Sequence, residues 1–208
     1  MAVKTTPKGT ASWAKLFRPD TKFVAEGVYS IDLNLPLEKA KGLTDYIDSQ
    51  MEYSLDKAKK DNPTKKGSIK QPNAPYQEVY DEEGNSTGEI KFKFKQRAVI
   101  NTKQGPMAKK PAVVDAKGKP ITEPLDIGNG STVKVAFEAI PYFTSMAGAG
   151  VSLRLSAVQL IDLMGGSSSF GFDEEDGYEF SESDTKQANE DFNNQEGPEE
   201  ETNDFGDF

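Results

Sequence analysis

A chain of 208 residues with 25 Lys and Arg against 34 Asp and Glu carries a net charge of −9, and it contains neither cysteine nor histidine. Disulfides, zinc thiolate sites and thiol nucleophiles are therefore excluded, and so are the commonest general base and every Ser-His-Asp arrangement. No apolar run approaches the roughly 20 residues a membrane span needs, and residues 1–9 lack the apolar core of a secretory signal, so the expectation is a cytoplasmic domain with no cofactor.

The first informative stretch is Ser12-Trp13-Ala14-Lys15-Leu16-Phe17-Arg18-Pro19-Asp20-Thr21-Lys22. It interleaves aromatics with cations, the mixture single-stranded nucleic acid asks for: flat faces for bases, charges for phosphates. The same residues also suit an N-terminal arm that Trp13 and Phe17 anchor on a core. Residues 27–35 alternate apolar and polar and end at Pro36, a half-buried strand. In residues 43–60, Leu43, Ile47, Met51, Leu55 and Ala58 recur at helical spacing. Thr44 is placed to cap that helix, Lys57, Lys59 and Lys60 suit its C-terminal dipole, and Asn62-Pro63 ends it.

Residues 65–85 are polar and Pro-rich and read as an extended loop. Residues 89–100 read as a second strand. There Lys91, Lys93, Lys95 and Arg97 share one face, and Ile90, Phe92 and Phe94 the other. Successive charges then lie about 6.5–7 Å apart, close to the phosphate spacing of an extended single strand. A solvated lysine face that blunts a sheet edge is the plainer reading, and the two Phe read as core. Residues 107–115 form a third strand, closed by the turn Asp115-Ala116-Lys117-Gly118-Lys119. Lys103, Lys109 and Lys110 add cations around it.

Residues 131–140 alternate again, with Val133, Val135 and Phe137 on one face. Ile140-Pro141-Tyr142-Phe143-Thr144 sets adjacent aromatics on opposite faces, so that one packs and the other is free to stack. Gly128-Asn129-Gly130 and Ala147-Gly148-Ala149-Gly150 read as turns, and residues 150–163 as the last strand. Several strands with glycine-rich connections imply a small barrel or sandwich. The carboxylate pairs Glu82/Glu83 and Glu123/Asp126 offer weak grounds for acid–base or Mg²⁺ chemistry.

Charge divides the chain. Residues 1–163 hold twenty-four Lys and Arg against nineteen acids, a net of +5, whereas residues 164–208 hold fifteen acids against Lys186, a net of −14. The expected organisation is one domain at 1–163, then a linker, Gly165-Gly166-Ser167-Ser168-Ser169, and an acidic tail too poor in apolar residues to order itself. Terminal blocks of like charge usually act as interaction tails. Solubility alone would not call for Phe170, Phe172, Phe180, Phe192, Phe205 and Phe208.

These residues carry a resemblance. The basic aromatic stretch with Arg18-Pro19-Asp20, Gly27-Val28-Tyr29-Ser30-Ile31-Asp32-Leu33, Phe92-Lys93-Phe94-Lys95, Val113-Val114-Asp115-Ala116-Lys117-Gly118-Lys119, Ile140-Pro141-Tyr142, Gly148-Ala149-Gly150-Val151-Ser152-Leu153 and a tail ending Asp207-Phe208 follow one another along nearly the whole chain. In that order they resemble the single-stranded DNA-binding proteins of short-tailed lytic bacteriophages. The resemblance implies a mainly β fold: a five-stranded oligonucleotide/oligosaccharide-binding (OB) barrel with one inserted α-helix and a disordered acidic tail.

It further implies sequence-nonspecific binding of single-stranded DNA, without bond chemistry, in replication, recombination and repair. Trp13, Phe17 and Tyr142 would stack bases, and Lys15, Arg18, Lys22, Lys91, Lys93, Lys95, Arg97, Lys103, Lys109 and Lys110 would line the groove. The tail, through Asp204, Phe205, Asp207 and Phe208, would contact polymerase and helicase-primase and compete with DNA. No membrane partner is implied; monomer, homodimer and tetramer all stay open. The rival readings are an acidic-tail chaperone for basic proteins that binds no DNA, and a small metal-dependent enzyme.

Overall fold

Strands begin almost at once in the computed structural model, which describes residues 2–165. The chain runs through β1 (Lys4–Thr5), β2 (Gly9–Asp20) and β3 (Val28–Pro36) into helix α1 (Leu37–Asp61) and a single 3₁₀ turn at Pro63–Ser68. It continues through β4 (Tyr76–Tyr80), β5 (Ser86–Arg97), β6 (Val99–Thr102), β7 (Gly105–Ala108) and β8 (Ala112–Val114). The long strands β9 (Thr132–Thr144) and β10 (Gly148–Asp162) complete it. The expected tail, with Asp204, Phe205, Asp207 and Phe208, lies outside the described residues, as does the expected linker from Gly166 on.

Alternation of apolar and polar residues builds a barrel. β2, β3 and β5 form an antiparallel meander, with β3 and β5 in unbroken register from Val28↔Arg97 to Pro36↔Glu89. β9 and β10 form a long antiparallel hairpin with two register shifts. The meander and the hairpin meet at two narrow seams. On one side β5 and β10 run parallel through Arg154↔Lys95; on the other β2 and β9 pair at Gly9↔Val133 and Thr10↔Thr132. The cyclic order β2-β3-β5-β10-β9 is the five-stranded Greek-key barrel of the OB type, as the sequence led one to expect. β1 extends β9, β8 extends β10 and β4 flanks β5, while β6 and β7 make a separate two-stranded hairpin.

Inside, Ile31, Leu33 and Leu35 of β3 meet Phe92 and Phe94 of β5, Val133, Val135 and Phe137 of β9, and Leu153 and Leu155 of β10, all essentially without exposure. The Phe94 and Phe137 rings lie tilted with centroids 5.2 Å apart, an arrangement aromatic pairs favour. Helix α1 packs across β3, β5, β9 and β10 through Ala40, Leu43, Ile47, Met51, Ser54 and Ala58. Ser54 is tolerated in this stripe because its hydroxyl reaches Gly150 O at 2.8 Å and Tyr142 O at 3.1 Å, which satisfies the buried group.

Several elements differ from the sequence reading. α1 begins directly after Pro36, six residues before the expected start, and Thr44 lies within it, donating to Lys41 O at 2.8 Å rather than capping. Gly42 masked this first turn, since glycine lowers helical expectation. The expected loop at 65–85 contains the 3₁₀ turn and β4, which adds to β5. The expected strand at 89–100 stops at Arg97. There Ala98 N–H donates to Gly27 O and Ala98 O accepts from Lys109 N, and the chain leaves the barrel as the β6–β7 hairpin. Lys109, Lys110 and Pro111 split the expected strand at 107–115 into β7 and β8, since proline has no N–H for the ladder. The expected turn at 147–150 is shorter, β10 starting at Gly148.

Candidate nucleic-acid interface

The outward face of β5 carries Lys91, Lys93, Lys95 and Arg97 at alternate positions while Phe92, Phe94 and Gln96 point into the barrel. Cross-strand pairing lines up each cation with β2 and β3. Thr10, Asn34 and Lys91 form one row, Ser12, Asp32 and Lys93 the next, and Lys15, Ser30 and Lys95 a third. Arg97 lies beside Val28, which pairs with Asp20. A cleft of about 520 Å³ opens over these rows, lined among others by Lys91, Lys93, Lys95, Asp32, Tyr76 and Tyr142. Asp32 is 7% exposed and stands 3.9 Å from Lys93 Nζ. Ser12 Oγ and Asn34 Oδ1 on the same face are buried without a hydrogen-bond partner among the described residues; such atoms call for a functional account in a native structure.

Tyr142 reaches the cleft from β9. It pairs with Gly150 of β10, and a Cβ at Gly150 would lie 2.7 Å from the Tyr142 hydroxyl oxygen and 2.8 Å from its Cζ. The phenol end of the ring thus lies against the glycine, and any larger residue would displace it. Tyr76 of β4 forms the opposite border. Its ring packs on Phe92 with centroids 5.6 Å apart, and its hydroxyl donates to Asp48 of α1 at 2.8 Å. Burial first, then the Asp48 hydrogen bond and charge, push the Tyr76 phenol up to about 12. It therefore stays a neutral donor across the physiological range and ties β4 to the helix.

β2 presents the other predicted group. Trp13 is 68% exposed and projects from an irregular stretch, within the register shift between Ser12 and Lys15. It does not anchor an arm on the core. Phe17 does so in part, packing at the core edge while Lys110 Nζ stands 5.2 Å from its ring centroid, a cation–π contact. Lys15 is held 3.4 Å from Asp20; the Lys22 backbone N–H, and then Lys15, keep the Asp20 carboxyl below its ordinary value. Lys22 lies in the β2–β3 loop with its Nζ 5.4 Å from the Phe23 ring.

The structure thus brings Lys91, Lys93, Lys95 and Tyr142 together around one cleft, with Lys15 in the row of Lys95. Phe17 and Lys110 form a second group. Trp13, Arg18 and Lys22 are exposed outside the residues that line the cleft; Lys103 sits in the β6–β7 turn and Lys109 just after β7. Sequence reading missed Asp32, Tyr76, Phe23 and Gly150. Asp32 was legible, since an acid at alternate spacing in β3 shares the face of the lysines once the strands pair. Phe23, 88% exposed between β2 and β3, occupies the first connecting loop of the barrel, a common oligonucleotide contact. Tyr76 and Gly150 depend on non-local pairing that no local pattern announces. Among the described residues, no group of acids is arranged to hold a metal ion.

A family model described as single-stranded DNA-binding protein, bacteriophage T7, matches residues 8–163. The single-stranded DNA-binding protein of Enterobacteria phage T3 is 32% identical over 221 aligned residues, covering 97% of this chain and 95% of that protein. That of Escherichia phage T7 is 32% identical over 158 residues, 72% of this chain and 66% of the relative. The crystal structure of gp2.5, a single-stranded DNA-binding protein encoded by bacteriophage T7, superposes with a TM-score of 0.68 at 29% identity, over 86% of this chain and 99% of that one. The single-stranded DNA-binding protein of bacteriophage Enc34, solved in complex with single-stranded DNA, shares the fold with a TM-score of 0.54 at 17% identity, over 84% and 89% of the two chains.

Proposed function

The chain belongs to the family of the bacteriophage T7 single-stranded DNA-binding protein, and on that premise we propose that it binds single-stranded DNA across the β3–β5 face, without regard to sequence. The observation that carries this reading is the alternate placement of Lys91, Lys93 and Lys95 along a cleft bordered by the Tyr142 and Tyr76 rings. The cations neutralise successive phosphates and the rings offer faces to bases, so across this face affinity rests chiefly on backbone charge and stacking, with at most modest base preference. Such a protein binds and releases; it makes and breaks no bond. Titrating the protein into labelled oligo(dT), oligo(rU) and duplex DNA, read by the anisotropy of the label, tests it. Preference for single strands over duplex is the expected result; binding to duplex alone, or none at all, overturns the reading.

The finer role is DNA replication, recombination and repair in the cytoplasm of a phage-infected cell. The −14 tail competes with DNA for the positive face, because tethering gives it an effective concentration on the order of millimolar. Asp204, Phe205, Asp207 and Phe208 then recruit polymerase or helicase-primase when DNA displaces the tail. Removing residues 170–208 raises DNA affinity, most at low salt where charge reaches furthest. Removing Phe208 alone leaves DNA binding nearly intact and abolishes partner binding. Unchanged DNA affinity in the long deletion at low salt would end the competition of tail with DNA.

A further inference from the structure

Among the described residues Trp13 is the single non-glycine in the left-handed backbone region, at φ 51°. A bulky residue there is strained and persists where its surroundings impose it. Packing of the indole does not impose it, since the ring is 68% exposed. Asn129 does: the Trp13 backbone N–H donates to Asn129 Oδ1 at 2.9 Å, across 116 positions of sequence. The loop that carries Asn129 is itself fixed to β2. Gly130 N–H donates to Ala11 O at 3.0 Å and Ala11 N–H to Ser131 O at 2.7 Å. The Ser131 hydroxyl closes the loop on Gly128 O at 2.8 Å.

A carboxamide whose oxygen accepts from a backbone N–H turns its NH₂ away, with two donors to offer. Asn129 is exposed, and its amide nitrogen has no partner among the described residues. An exposed indole on a braced backbone and a pair of unused donors therefore belong to hydrogen-bonded residues, outside those that line the lysine cleft.

Resting on the single-stranded DNA reading, we propose that Trp13 and Asn129 form a separate nucleobase subsite. The indole stacks on the base, and the Asn129 NH₂ donates to a carbonyl oxygen on its edge. Thymine, cytosine and guanine carry such a projecting oxygen, whereas adenine offers only acceptors set back in its rings, N3 and N7 among them, so the subsite favours the first three. Asn129 thereby has two tasks: its oxygen positions Trp13, and its nitrogen selects the base.

Two variants of the full chain separate these tasks, read through Trp13, the sole tryptophan. Asn129→Asp keeps an oxygen for the Trp13 N–H and removes the NH₂. Its added charge repels every oligonucleotide alike and cancels in the ratio of oligo(dT) to oligo(dA) affinity. That ratio falls by roughly 3- to 10-fold, the worth of one hydrogen bond. Asn129→Ala also loses the acceptor, and Trp13 fluorescence anisotropy in the free protein drops as well. An unchanged ratio in Asn129→Asp, with anisotropy unchanged in Asn129→Ala, overturns the subsite. So does labelled oligo(dT) that binds wild type without altering Trp13 emission, a result that leaves the DNA reading standing. Labelled oligo(dT) that does not bind wild type at all overturns the DNA reading itself.

Discussion

Strands β5 and β2 both carry residues proposed to contact DNA, and they do so by opposite means. β5 is regular: its register with β3 is unbroken, its apolar residues are buried and its cations stand at every second position. Position along the strand alone sets the spacing of Lys91, Lys93 and Lys95. β2 is irregular: two register shifts interrupt its pairing with β3, and Trp13 sits within the first of them at φ 51°. There the backbone is bent to present one ring that a regular strand would have laid elsewhere. Regular pairing suits a repeating ligand such as a phosphate backbone. A local distortion suits a single stacked base, and it needs an outside brace, which Asn129 supplies.

The sharpest break in this comparison comes from the buried side of β5. Phe94→Ala empties a site with no exposure and is expected to cost about 3–5 kcal/mol of stability, read by thermal unfolding. The exposed side behaves otherwise. In Lys91→Ala/Lys95→Ala, stability stays within about 0.5 kcal/mol, while the slope of log affinity against log salt flattens by about 1.4, at about 0.7 per phosphate contact. An unchanged slope would make the lysine face mere solvated surface. Trp13→Gly tests β2 with opposite signs. Glycine accepts the left-handed backbone, so stability holds or rises, while DNA affinity falls by about 1–3 kcal/mol for the lost stack. A parallel loss of stability would return Trp13 to the core.

Tyr76→Phe is the mildest change and bears on the β4 edge of the regular strand. It removes the donor to Asp48 and is expected to cost about 1 kcal/mol. Because the phenol is raised from an ordinary 10.0 to about 12, its contribution is complete below pH 10 and disappears as pH climbs through 12. Denaturant unfolding at pH 9 and above pH 11 should therefore show wild type and variant converging in alkali.

This contrast also governs what could be read from the chain. The β5 face, the buried Phe92 and Phe94, the alternation in β9 and the stripe of α1 were legible because each repeats with the period of its element. Arg97 marked the end of β5 less clearly, because Ala98 and Val99 continue the apolar pattern while hydrogen bonds from distant residues turn the chain away. β4 was hidden by its polar residues, since an edge strand needs little apolar alternation. Trp13 was noticed for its composition, but its conformation depends on Asn129, 116 positions away. The seat of the Tyr142 phenol likewise depends on Gly150 across the β9–β10 pair. Features written in one element were readable; features written between two were not.

The narrow parallel seam between β5 and β10 has a mechanical consequence. Any flexing of the meander against the hairpin, as two plates, would hinge where Lys95 meets Arg154. Arg154 is also clasped by Glu138 of its own hairpin, so it leaves the hinge little extra strength. The lysine cleft lies over that hinge, with Lys91, Lys93 and Lys95 on one plate and Tyr142, Val151 and Leu153 on the other. A polymer laid in the cleft grips both plates at once. It works as a splint, and amide hydrogen exchange along the hinge slows when it is in place, while the interior of each plate, already held by its own ladder, exchanges as before.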